Sequence, residues 1–195
     1  MAGSYGIDLS NNNGKLDIHK SGLKPSFIYA KCTEGTGYVD PLYDYYAQQA
    51  EDNDAQFGAY HFFHAEKLDA RAEAENFVTR ARPRSMLSCW LDYETYGASG
   101  QADAEEIGLF ISYAKVLVPK IRIGLYVNGY ALGRISPYLK EIPFNGIWFA
   151  SLGGHIAPQT KPIEWGVNQY AIDNGVSHDY STATAQGMRD YWTWT

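Results

Sequence analysis

Eight short apolar runs punctuate the chain, at residues 5–10, 27–33, 57–63, 87–94, 122–128, 146–151, 164–170 and 177–181, and each closes on polar residues. Their length and their content of Val, Ile, Tyr, Phe and Trp predict strands. Between the early runs the apolar positions recur with helical spacing over 41–52, 68–82 and 102–117, so strand and helix alternate as in a parallel α/β sheet. Eight strands of this kind suggest a sheet closed into a barrel. The late connections break the alternation. Parallel neighbours need a crossover of roughly a dozen residues or more, and 171–176 is far shorter. The last two strands should therefore run antiparallel, with Asn174-Gly175 supplying the two positive-φ positions of a tight hairpin. The expected architecture is an irregular, TIM-like α/β barrel of five βα units followed by three further strands, with a closing helix near 183–192. No linker, repeat or low-complexity stretch divides residues 1–195, which read as a single domain.

Composition narrows the classes of function. There are 16 basic against 22 acidic side chains, a formal charge of −6, and the basic residues are scattered. Phosphate recognition needs clustered Lys and Arg, so no nucleic-acid partner is expected. No stretch approaches the roughly 18 unbroken apolar residues of a membrane span, and residues 1–13 carry neither the basic head nor the apolar run of an export signal. Neither a membrane partner nor a standard secretory precursor fits. Cys32 and Cys89 lie inside apolar, strand-like runs and read as two buried thiols. Aromatic content of 15%, with 16 Tyr and 5 Trp, exceeds what a core needs and suits a cleft for flat, hydroxyl-rich ligands, which brings carbohydrate forward as a substrate class.

Candidate chemistry concentrates at strand ends. In Cys89-Trp90-Leu91-Asp92-Tyr93-Glu94 the strand period of two puts Trp90, Asp92 and Glu94 on one face. Active sites of parallel barrels form at the carboxyl ends of the strands, and two carboxylates close together push one pKa up, which keeps an acid protonated beside an ionised neighbour. Asp-x-Glu alone is only weakly specific. The same alternation lets Asp8, Ser10, Lys31, Tyr60, Tyr126, Asn128, Trp148 and Gln169 face one mouth. Each has a bland explanation taken singly, and together they favour a site. Histidine offers a rival: His61, His64 and His178 with Asp8 and Asp92 could supply ligands for a metal-dependent amidase or deacetylase. His61 and His64 are three apart in a strand and face opposite sides, and no His-Glu-x-x-His or Cys-x-x-Cys occurs, so no metal or other cofactor is expected and His61 reads as a hydrogen-bonded residue at the pocket edge. A Ser-His-Asp site lacks its Gly-x-Ser-x-Gly elbow, and Thr33-Glu34-Gly35-Thr36-Gly37 lacks the lysine of a phosphate loop.

Five ordered motifs carry a resemblance: Gly6-Ile7-Asp8-Leu9-Ser10; Ala30-Lys31-Cys32-Thr33-Glu34-Gly35 with Asp40 following; Gly58-Ala59-Tyr60-His61-Phe62; Leu91-Asp92-Tyr93-Glu94; and Tyr126-Val127-Asn128. In these the chain resembles glycoside hydrolase family 25, the lysozymes that cut bacterial peptidoglycan as N-acetylmuramidases. The resemblance implies an irregular barrel of five βα units and three further strands. It implies Glu94 as general acid at the β-1,4 bond between N-acetylmuramic acid and N-acetylglucosamine. It places Asp92 beside Glu94, assisting the substrate acetamido group, a known exception to the two-carboxylate scheme; an enzyme carboxylate acting directly is the competing mechanism. Asp8 and Asp179 complete the catalytic set, and Lys31, Glu34, Tyr60, Tyr126, Asn128, Trp148 and Gln169 line the sugar subsites. The family pattern places an Asn two residues after the late Asp, whereas this chain has Ser181 after Asp179. The resemblance further implies a monomeric phage endolysin catalytic domain, made in the host cytoplasm and acting on wall peptidoglycan, without a separate wall-binding domain. A peptidoglycan-binding module that does not cut is the alternative.

Overall fold

The computed structural model describes residues 4–81, 88–151 and 166–181. The strands are β1 (Ser4–Leu9), β2 (Phe27–Glu34), β3 (Tyr38–Val39), β4 (Gln56–His64), β5 (Ser88–Thr95), β6 (Ile123–Asn128), β7 (Ile147–Ala150), β8 (Gly166–Asp173) and β9 (Val176–Ser181). In space they run β1-β2-β4-β5-β6-β7-β8-β9, and β9 pairs back onto β1, closing an eight-stranded barrel. All neighbours are parallel except β9, which is antiparallel to both β8 and β1. β3 is a two-residue flap on the end of β2. Helices follow the first five barrel strands: α1 (Ile18–Ser21), α2 (Tyr43–Asp52), α3 (Ala70–Ala81), α4 (Gly100–Leu117) and α5 (Gly129–Ile135). Five βα units and three further strands are thus present, and the predicted closing helix lies outside the described residues.

Local chemistry sets the boundaries. β8 and β9 are joined by Asn174 and Gly175 alone, at φ 49° and 76°, the two positive values that a type I′ turn requires. β8 therefore runs past the predicted 170, through a register shift between Gln169 and Ala171. α4 begins at Gly100 rather than 102, because Ser99 accepts from Ala102 N at 3.1 Å and caps the helix. α3 begins at Ala70 rather than 68, because Leu68 sits in the left-handed region at φ 59°.

The alternation of each strand feeds two cores. Outward-facing residues such as Ile28, Leu91 and Leu125 meet the helices through Phe77, Ile107 and Phe110. Inward-facing Phe27, Tyr29, Trp90 and Trp148 fill the barrel, with Tyr29 5.6 Å from Trp90 and 5.1 Å from Trp148 between ring centroids. Three of these rings lie across from glycines on the neighbouring strand: Phe27 pairs with Gly6, Tyr29 with Gly58 and Trp90 with Gly124. A Cβ at Gly6 or Gly124 would lie about 2 Å from the facing ring, so these positions have room for nothing larger than hydrogen. The aromatic plug forms the floor on which the site stands. Among the described residues no helix is long and apolar enough to cross a membrane.

Candidate active site

Above the plug, at the carboxyl ends of the strands, an open cleft of about 570 Å³ is lined by ten of the residues singled out by alternation or resemblance: Asp8, Ser10, Lys31, Tyr60, Asp92, Glu94, Tyr126, Asn128, Trp148 and Gln169. Asp92 is 8% exposed, and its Oδ1 has no hydrogen-bond partner among the described residues. Burial first, then the charges of Glu94 and Asp8, hold its carboxyl well above the usual range, against the pull of Lys31. Glu94 stands at the rim and faces solvent, with its pKa raised by desolvation.

β5 reaches Glu94 through an irregularity. Phe63 pairs with Tyr93 and His64 with Thr95, so Glu94 is an extra residue opposite no partner on β4. Such a bulge bends the strand and re-aims one side chain. A second register shift at Cys32 leaves Lys31 facing the cleft beside Tyr60 while Thr33 turns outward to His61. The Lys31 ammonium pairs with Glu34 and lies 4.7 Å from the centre of the Phe62 ring.

The other wall is a chain of hydrogen bonds. Tyr126 donates to Gln169 Oε1 at 3.0 Å, and Gln169 Nε2 donates to Asp8 Oδ2 at 2.7 Å. Asp179 stands behind Asp8; its Oδ1 accepts from Trp148 Nε1 at 2.8 Å, and its Oδ2 has no hydrogen-bond partner among the described residues. Asp179 is fully buried, and burial and then the Asp8 charge push its carboxyl well up, while desolvation raises Asp8 to about 6.

Several expectations change here. Asp179 does not line the cleft; it lies behind the wall, where it holds the Trp148 ring nitrogen. Glu34 does not line it either, being engaged by Lys31 and by His64 at 3.3 Å. Asn128 reaches the cleft, but its Oδ1 caps α5 by accepting from Ala131 N at 2.9 Å. His61 is not at the pocket edge. It is fully buried outside the barrel wall, between Thr33 Oγ1 at 2.8 Å and Glu73 Oε2 at 2.9 Å, and burial lowers its pKa. Alternation already implied this, since His61 must face away from Tyr60. Asn12, Phe62, Ala150, Ile172 and Ser177 line the cleft without having been singled out. Phe62 was legible from its shared face with Tyr60 and Ser177 from its shared face with Asp179, whereas Asn12 arrives through the loop after β1 and Ile172 through the part of β8 beyond its register shift, which strand alternation does not reach.

The sequence profile of glycosyl hydrolases family 25 matches residues 7–187. The chain belongs to glycosyl hydrolase family 25. An autolytic lysozyme of Clostridium acetobutylicum is 28% identical over 153 residues; the match takes in 76% of this chain and only 45% of that relative's length. In fold, this family 25 chain superposes on the bacterial lysozyme of Streptomyces coelicolor with TM-score 0.83 and 22% identity, covering 98% of each chain. It superposes on a muramidase from Trichobolus zukalii with TM-score 0.83 and 21% identity, covering 98% of this chain and all of that one. Its barrel with β9 antiparallel is thus a family 25 architecture, carried here with the Asp92–Glu94 strand end at its mouth.

Proposed function

We propose that this chain is an N-acetylmuramidase, a single catalytic domain that hydrolyses the β-1,4 bond between N-acetylmuramic acid and N-acetylglucosamine in wall peptidoglycan, outside the membrane. The observation that carries the reading is the pair of raised carboxyls, Asp92 and Glu94, on one strand end in an open, aromatic-lined cleft. Asp92 is buried and held well above the usual range by burial and by the charges of Glu94 and Asp8, while Glu94 faces solvent and is raised by desolvation. A sugar laid over the rim strips water from Glu94, and the acetamido N–H donated to the cleft-facing Asp92 carboxylate favours its ionised form, so Glu94 is the acid that carries the proton. Glu94 then delivers it to the glycosidic oxygen as the acetamido carbonyl oxygen attacks the anomeric carbon and the C–O bond breaks. The resulting cyclic cation is held by ionised Asp92. Water, losing a proton to the Glu94 carboxylate, reopens the ring, with net retention.

Glu94→Gln cannot deliver that proton. Its turnover of suspended walls should fall about 10²–10⁴-fold with the fold intact, since Glu94 packs into no core. Wild-type turnover in that variant would remove the assignment. Asp92→Asn should be severely impaired too, and a near-normal rate would favour direct attack by an enzyme carboxylate over acetamido assistance. If the protein binds walls and never clears them, the non-catalytic reading stands instead. An endolysin origin adds the expectation that, in a host cell, lysis waits for a separate membrane-permeabilising protein.

A further inference from the structure

Beyond Glu94, the β5–β6 side of the cleft carries two tyrosines for which the chemistry above has no use. Tyr96 follows β5 directly, and Tyr130 is the second residue of α5. Their rings meet edge to face, 5.0 Å between centroids at 68°. Tyr130 is 63% exposed, which is unusual for so large a ring held by so many partners.

Both rings are fixed from beneath. Tyr96 packs on Tyr93 at 5.2 Å and 87° and lies 5.3 Å from the Arg134 guanidinium. Tyr130 and Arg134 are four residues apart on α5 and so share a helix face. Arg134 is itself locked: Nε and Nη2 donate to Asp103 Oδ2 at 2.9 and 2.7 Å, and Nη2 donates to Gly97 O at 3.1 Å. Asp103 is fully buried and also accepts from Gly97 N at 2.7 Å and from the Tyr93 hydroxyl. This network stitches the loop after Glu94 to α5, so the Tyr130 ring keeps its orientation before any ligand arrives and little rotamer freedom is lost on binding. The platform adjoins the cleft, because cleft-lining Asn128 caps α5 two residues before Tyr130, and Tyr96 lies two residues past cleft-lining Glu94, near enough to feel its charge. Tyr38, exposed on the flap at the end of β2, differs in being engaged by Lys31, whose ammonium lies 5.6 Å from its ring.

A general acid protonates the oxygen of the departing sugar, so that sugar must lie on the Glu94 side. The C–H face of a pyranose is apolar and stacks on an aromatic ring. We propose that Tyr96 and Tyr130 form a stacking platform for the N-acetylhexosamine on the leaving-group side of the scissile bond. This rests on the muramidase reading, and the test separates the two.

Soluble, uncrosslinked glycan strands serve as the probe. Binding is measured by calorimetry on Glu94→Gln protein, and turnover as new reducing ends on protein with Glu94 intact, each with Tyr130 native, Tyr130→Ala or Tyr130→Phe. Loss of one ring contact should weaken Kd and raise KM about 3- to 10-fold in the Tyr130→Ala forms, with kcat nearly held, while Tyr130→Phe stays close to the parent. An unchanged Kd and KM in Tyr130→Ala, an effect on kcat alone, or an equal loss in Tyr130→Phe would overturn the platform. If the parent releases no reducing ends, the muramidase reading fails, and the Kd comparison alone decides the platform.

Discussion

At the residue scale, the division of labour follows from which side of the barrel wall each polar group occupies. Asp8, Asp92 and Glu94 open into the cleft, whereas His61, Glu73 and Thr33 form a sealed set behind it. His61→Ala would leave Glu73 buried without its ring partner and open a hole beside Phe77 and Phe110. It should cost about 3 kcal/mol of stability, read as a shift in the denaturant midpoint, with activity per folded molecule unchanged. A variant that folded normally and lost activity would bring the metal-hydrolase reading back. Most of the cleft was legible because period-two alternation assigns each strand residue a side. Asp179 was legible as an inward residue but not as a buried one, because its depth is set by the Trp148 ring that covers it, on a different strand.

At the element scale, β5 and the glycine-backed rings decide whether the site is held. Trp90 occupies the space that Gly124 leaves open on β6, and Asp92 lies two residues further along the same strand. Gly124→Ala forces a methyl group to about 2 Å from the Trp90 ring. Overpacking of this kind typically costs about 1–3 kcal/mol, so thermal unfolding should come several degrees earlier, and activity should fall more than the folded fraction does because Asp92 shifts with Trp90. A neutral outcome on both would show that the ring can move aside. The five βα units and the antiparallel close were readable from connection lengths and from Asn174-Gly175. The bulge at Glu94 was not, because an extra residue leaves no mark in composition and exists only relative to the register of β4.

At the scale of the whole molecule, a site built from buried acids has a thermodynamic signature. Asp8 faces Asp179 and Glu94 and accepts from Gln169, and its folded pKa of about 6 lies above the ordinary 3.8. The folded state therefore binds that proton more tightly than the unfolded chain. Its contribution to stability is full below 3.8 and is lost as pH rises through about 6. Asp8→Asn does not titrate, so its stability relative to wild type should improve steadily across that window, as followed by denaturant midpoints at matched pH. A constant difference would mean that Asp8 ionises as it would in water. The proposed cut at the muramic acid end of the glycan bond is read directly from the fragments it leaves. Purified peptidoglycan should be digested, reduced with borohydride and its fragments weighed by mass spectrometry. A muramidase leaves new reduced N-acetylmuramic acid ends; reduced N-acetylglucosamine ends, free stem peptides, or no new ends despite wall binding would contradict that assignment.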